Sequence, residues 1–202
     1  MNPQMKSAVI VLLAAGLALA TGACAKKQTS VSLATELLPV PSNPLIDLRV
    51  VLRVGSANDP AGKEGLAWLT LSLLADGGTK DLTIKQITEK FFPLAAGVRL
   101  SLDKEMAVFS GTVHKDNLDK YYPIFRDMLL NPGFREEDFI RLKTDQMNYL
   151  EKTLVNDMDE DFGKEILNLA LYEGHPYGHQ EAGTVESLKR LTLDDVKAFY
   201  KA

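Results

Sequence analysis

The chain has 202 residues, with 23 Lys and Arg against 27 Asp and Glu for a net charge of −4. That length allows one domain with a sizeable core, or one lobe of something larger. The charge balance offers no concentrated basic surface and so argues against nucleic acid as a partner. The short runs AKK and KR read as solvated surface, and repeats and low-complexity segments are absent.

The N-terminus stands apart from the fold. MNPQMK is a short basic start, and Ala8 to Ala20 is an uninterrupted apolar run. The run is short for a membrane span and small residues follow it, which is the pattern of a secretory signal. ATGAC resembles the lipobox of bacterial lipoproteins, in which the cysteine is acylated and becomes the new N-terminus. Gly22 and Ala23 fit that pattern, whereas Thr21 stands where an aliphatic residue is usual. The competing reading is ordinary cleavage at Ala23-Cys24-Ala25, leaving Lys26 first. Cys24 is the only cysteine in the chain and sits at the expected junction, which favours lipid attachment. The expectation is therefore a signal with lipobox over 1–24 and a body held to a membrane outside the cytoplasm.

Residues 25–45, with prolines, serines and polar residues, read as a tether. In IDLRVVLRVGS, Leu48, Val50, Leu52 and Val54 alternate with Arg49, Val51 and Arg53, predicting a strand with one core face. ANDPAGKEG is a turn-rich loop. A helix follows over about Lys63 to Ala75, and Gly77-Gly78 stops it. LTIKQITEKFFPLA predicts a second helix, halted near Pro93. GVRLSLDKEMAVFSGTVH predicts two adjacent strands around Asp103-Lys104, with Val98, Leu100 and Leu102 alternating in one and Met106, Val108 and Ser110 in the other.

NLDKYYPIFRDMLLNPG is helical and stops at Asn131-Pro132-Gly133. REEDFIRLKTDQMNYLEKTL is a longer helix whose first turn is acidic, where negative charge favours the helix dipole. EDFGKEILNLALY is another, with Phe162, Ile166, Leu169 and Ala170 on one face. Beyond the loop EGHPYGHQEAG come two short helices, the second capped by Thr192 with Asp195 three residues on. This order predicts an α+β domain over 46–202: an antiparallel sheet with helices packed on one face. The sequence ends at FYKA inside a helical pattern, from which a longer protein is expected.

VGSANDPAGKEGLA, GGT, LLNPGF, GHPYG, GTVESLKRLT and DDVKAFY, in this order, resemble the N-terminal lobe of the M16 peptidases, the insulinase, pitrilysin and mitochondrial processing peptidase family. The resemblance runs from near Leu48 to the C-terminus. In active members His-x-x-Glu-His follows GLA. Histidines one helical turn apart can share a zinc ion while the glutamate serves as general base, and a glutamate on a later helix completes the ligands. Here the stretch is Trp68-Leu69-Thr70-Leu71-Ser72, so the first histidine becomes Trp68, the glutamate Leu71 and the second histidine Ser72. The later glutamate falls near Asn148 to Leu150, with Asp145 and Glu151 close by but turned to other faces. The indole N–H cannot ligate a metal, and Leu71 cannot accept a proton. The resemblance thus implies a degenerate site with no metal in this chain, and plain core packing for Trp68. M16 lobes also usually open with a hairpin strand and an Asn-Gly turn, which LATELLPVPSNP lacks.

Other candidates are weaker. His175 and His179 have i, i+4 spacing, but Pro176 and Gly178 place them in a loop; a metal there would need Glu173 or Glu181 as well. His114 reads as an exposed histidine. GSANDPAGKEG lacks the spacing and the hydroxyl residue of a phosphate loop.

Two functions follow from the resemblance. One is a silent M16-like subunit paired with an active, zinc-bearing homologue and contacting peptide or unfolded-protein substrate. The other is a stand-alone envelope lipoprotein using the scaffold for binding or assembly. An enzyme with relocated ligands is disfavoured, since the three histidines form no helical pair.

Overall fold

The computed structural model describes residues 34–202, so the signal, Cys24 and most of the tether lie outside the described residues. Two compact units are distinguished, Met1–Pro39 and Val40–Ala202. In the first, residues 34–39 form no helix or strand, and all that follows concerns the second.

Three strands build the sheet: β1 (Leu45–Leu52), β2 (Arg99–Leu102) and β3 (Ala107–His114). Their order is β1-β3-β2, both pairings antiparallel, with Leu45 opposite His114, Leu52 opposite Ala107 and Arg99 opposite Ser110. The β2–β3 turn is closed by the Asp103 carboxylate, which accepts the N–H groups of Glu105 (2.8 Å) and Met106 (2.7 Å).

Eight helices follow or intervene: α1 (Leu66–Asp76), α2 (Ile84–Phe91), α3 (Leu118–Leu130), α4 (Glu136–Asn148), α5 (Leu154–Asp157), α6 (Asp159–Leu171), α7 (Val185–Arg190) and α8 (Leu193–Lys201). A π-helical turn over Tyr149–Thr153 joins α4 to α5. The expected α+β architecture is the one observed. The expected Thr192–Asp195 capping box is present, with Asp195 N–H donating to the Thr192 hydroxyl at 3.2 Å. Thr184 and Ser187 form a second box at α7. None of the described helices is long and apolar enough to cross a membrane.

α1 is the shared pillar of two apolar clusters. Leu71, Leu74 and Ala75 pack with Ile87 and Phe91 of α2, Tyr121, Phe125 and Met128 of α3, and Ala107, Phe109 and Val113 of β3. Leu66, Leu69 and Leu73 pack instead with Phe139 and Leu142 of α4, Leu150, Leu154, Leu188, Leu191 and Val196. A helix apolar on nearly all sides is what burial between two layers requires. In the sheet cluster Gly111 makes room for Tyr121, since a Cβ there would sit 1.8 Å from the phenol oxygen. The Tyr121 hydroxyl donates to Gly97 O (2.8 Å), and burial pushes its pKa up to about 12.

Two faces differ from expectation. The buried side of β3 is Ala107, Phe109, Gly111 and Val113, whereas Val108 and Ser110 lie on the opposite side and are half-buried. In α6, Phe162 and Leu169 turn inward as expected, but Ile166 is 48% exposed and Ala170 is exposed, while Glu165 and Asn168 face a cleft.

Candidate functional site

The start of α1 is held by a loop residue and not by its neighbour in sequence. Gly65 takes φ +90°, where a side chain is strained, and a Cβ would meet Ala182 O at 2.6 Å. The fully buried Asp59 carboxylate accepts Gly65 N–H (2.7 Å) and Ala67 N–H (2.6 Å), satisfying two of the helix's orphan donors. His179 Nε2 lies 3.3 Å from the same carboxylate, and that hydrogen bond raises the His179 pKa above its ordinary 6.5 against the opposing effect of burial. Gln146 of α4 ties the same corner, donating to Gly65 O (3.1 Å) and Ala182 O (2.8 Å). His179 is therefore a supporting residue. His175 is exposed, with its Nδ1 accepting Tyr177 N–H at 3.2 Å, and His114 closes β3 half-exposed, accepting Asp116 N–H at 3.3 Å.

The three residues at the motif positions have different fates. Leu71 is 3% exposed and belongs to the sheet cluster. Trp68 packs against the helical cluster as expected but stays half-buried, stacking on Tyr149 with ring centroids 5.6 Å apart and planes 24° apart. Ser72 is half-buried. Of the residues near the later ligand position, Tyr149 thus meets Trp68, while Leu150 is buried in the helical cluster. Asp145 turns to Arg141 (3.9 Å) and Glu151 is exposed. Indole, alkyl, hydroxyl and phenol groups do not make a zinc donor set. Among the described residues, no group of three or more His, Cys, Asp or Glu side chains is placed to hold a metal ion.

In place of a metal centre there is a cleft of about 320 Å³. Trp68 and Tyr149 form its aromatic side, and Leu102, Leu150 and Leu154 contribute apolar surface. Asp161, Glu165 and Glu181 bring carboxylates, with Lys164, Asn168 and Gln180 on the rim. The carboxylates crowd one another. Burial raises the Glu181 pKa, and Glu165 and Asp103 raise it further while Lys104 opposes. Burial and the charges of Asp161, Glu165 and Glu181 likewise raise that of Tyr149. Lys104 Nζ donates to His179 O (2.6 Å) and stands 3.9 Å from Glu165 Oε2, too far for a hydrogen bond. That buried oxygen is left without a hydrogen-bond partner. The cleft offers aromatic area and negative charge for contact, and Leu71 supplies no base at its position to activate water.

Sequence reasoning missed Asp59 and the acidic side of α6. The first acts across six and eight residues of loop, and the second is polar where periodicity looks for apolar residues.

The family model for insulinase, peptidase family M16, matches residues 39–185. A protein of Rickettsia bellii described as an uncharacterized zinc protease is 27% identical over 76% of this chain and 37% of its own length. A probable mitochondrial-processing peptidase subunit beta of Schizosaccharomyces pombe is 25% identical over 73% of this chain and 32% of its own. Among solved structures, the peptidase M16 inactive domain from Pseudomonas fluorescens superposes with a TM-score of 0.71 at 27% identity, covering 79% of this chain and 38% of that one. A protease from Helicobacter pylori shares the fold, with a TM-score of 0.67 at 22% identity over 78% of this chain and 38% of that one. The chain spans a little over a third of the length of the curated relatives it matches most extensively. It belongs to the insulinase family, peptidase family M16.

Proposed function

We propose that this chain is a catalytically silent M16 subunit of the bacterial cell envelope, supporting an active zinc-bearing homologue in the proteolysis of peptides or unfolded proteins. The observation that carries the reading is the joint replacement of the motif positions on an M16 fold: Leu71 is part of the core, and Trp68 is stacked on Tyr149. The similarity to a solved M16 domain described as inactive supports it. In this role the cleft contacts substrate. The Trp68–Tyr149 surface packs against side chains, and the carboxylates of Asp161, Glu165 and Glu181 favour basic segments. Cys24 at the end of the signal supplies the membrane attachment through its acyl chains.

Gentle detergent purification of the native protein from membranes, followed by mass spectrometry of what accompanies it, tests the proposal. A stoichiometric companion bearing His-x-x-Glu-His is expected. If the protein comes out alone or only with itself, the pairing is refuted and a stand-alone binding lipoprotein takes its place.

A further inference from the structure

Between α6 and α7 the chain runs from Tyr172 to Thr184 without helix or strand, and Gln180, Glu181 and Ala182 of this segment form one wall of the cleft. Its downstream end is pinned by close packing. Gly183 takes φ +77° and passes Glu64 O so closely that a Cβ would lie 2.2 Å from it, and Gln146 Nε2 donates to Ala182 O at 2.8 Å. Its upstream end is loose by comparison: residues 173–176 are exposed, and Gly174 takes the same φ with open space around it. Between the two ends, three side-chain links tie the segment to its neighbours. The Tyr177 hydroxyl donates to the Glu105 carboxylate, Lys104 Nζ donates to His179 O at 2.6 Å, and His179 Nε2 lies 3.3 Å from Asp59 Oδ2. Of these three, the last alone reaches the α1 side, and it alone rests on a side chain that ordinarily changes charge near neutral pH.

We infer that residues 172–184 form a pH-operated latch on the cleft, in which protonated His179 seats the Gln180–Ala182 wall against Asp59 and the neutral imidazole lets that wall shift. Asp59 is a fixed anchor, since its side chain is 0% exposed and its oxygens also hold the first turn of α1. The charged groups facing His179 are Asp59 from the loop before α1, Lys104 from the β2–β3 turn and Glu181 from its own segment. Asp59 favours the imidazolium, burial and Lys104 oppose it, and the backbone of Ser56 favours it again, leaving the pKa raised. The charged link is therefore complete below 6.5 and is lost as pH rises through the elevated folded value. A neutral hydrogen bond is roughly half as strong as a charge-assisted one, so the hold slackens rather than vanishes. Glu181 acts in the same direction: once ionised it is repelled by Glu165 and Asp103, and the His179 charge that offsets this repulsion is then gone. The wall is thus seated in mild acid and released in mild alkali. The latch needs neither substrate nor a companion subunit, so it stands or falls separately from the silent-subunit reading.

Trp68, the one tryptophan of the chain, lines the cleft and reports on the wall. In the purified full-length chain, in detergent where it is acylated, acrylamide quenching of Trp68 fluorescence should rise about 2-fold between about pH 6 and about pH 9. Far-ultraviolet circular dichroism should stay constant over the same range. His179→Gln should abolish the step. His179→Lys, which keeps a cation before Asp59, should hold quenching at the acid value throughout, and it decides the matter if the glutamine variant does not fold. Glu181→Gln should leave the step in place. Quenching that does not change with pH in the parent chain would overturn the inference, as would a step that accompanies loss of helix. So would a step that survives in His179→Gln or His179→Lys, or one that vanishes in Glu181→Gln, because another group would then be the one titrating.

Discussion

The sheet-facing and cleft-facing sides of α1 carry different positions of one five-residue stretch to different ends. On the sheet side Leu71 is sealed among β3, α2 and α3, and Leu74 and Ala75 continue that contact. On the cleft side Trp68 stays half-buried against Tyr149, beside Glu181, whose pKa is raised by burial and then by the charges of Glu165 and Asp103. The lesson is that the positions matched to the zinc motif are not equivalent in this structure. One position has been absorbed into the packing, while another remains at a surface able to touch a ligand. Regaining a site would therefore meet unequal resistance at its members.

The comparison can be broken most forcefully at Leu71. Leu71→Glu buries a carboxyl with no partner in the sheet cluster and should cost about 3–5 kcal/mol in denaturant unfolding. Trp68→His and Ser72→His should each cost less than half as much. An equal cost at all three would erase the distinction between the two sides. Asp59→Ala removes the acceptor for two N–H groups at the start of α1 and should cost about 2–3 kcal/mol in the same assay. A loss below about 0.5 kcal/mol would show that the loop does not hold the helix.

A smaller effect sharpens the cleft side. Trp68→Ala should remove about 0.5–1.5 kcal/mol of stacking with Tyr149 beyond the buried area lost. It should also weaken binding of a basic, unfolded peptide, read by fluorescence anisotropy. Unchanged peptide affinity would separate Trp68 from substrate contact. The smallest expected effect is on pH. The folded-state pKa of His179 lies above its unfolded value, so its protonated contact with Asp59 stabilises fully below the ordinary 6.5 and is lost as pH rises through the elevated folded value. Thermal unfolding scans should therefore show stability falling with rising pH above 6.5, and His179→Gln should flatten that slope.

Much of this fold can be read from the residues. The apolar run closed by Gly77, the turn at Asp103 and the box at Thr192 are local signals, and each produced the predicted element. The errors have physical causes. In β3 the core side is built partly from small residues, Ala107 and Gly111, so alternation alone points as readily to Met106, Val108 and Ser110. In α6 the inward side includes Glu165 and Asn168 because it borders a cleft, which leaves Ile166 and Ala170 outside. The family was legible from its local words, and the resemblance named Trp68, Leu71 and Ser72 as the positions to inspect. Their environment was not, since the Trp68–Tyr149 stack and the Asp59 clamp join segments far apart in sequence.

The most direct test of a cleft that contacts without catalysing is elemental analysis of the protein separated from its companions and purified without chelators. The account predicts zinc far below one equivalent per chain. One tightly held zinc per chain would contradict it, because Trp68, Leu71 and Ser72 supply no ligand set to hold the ion.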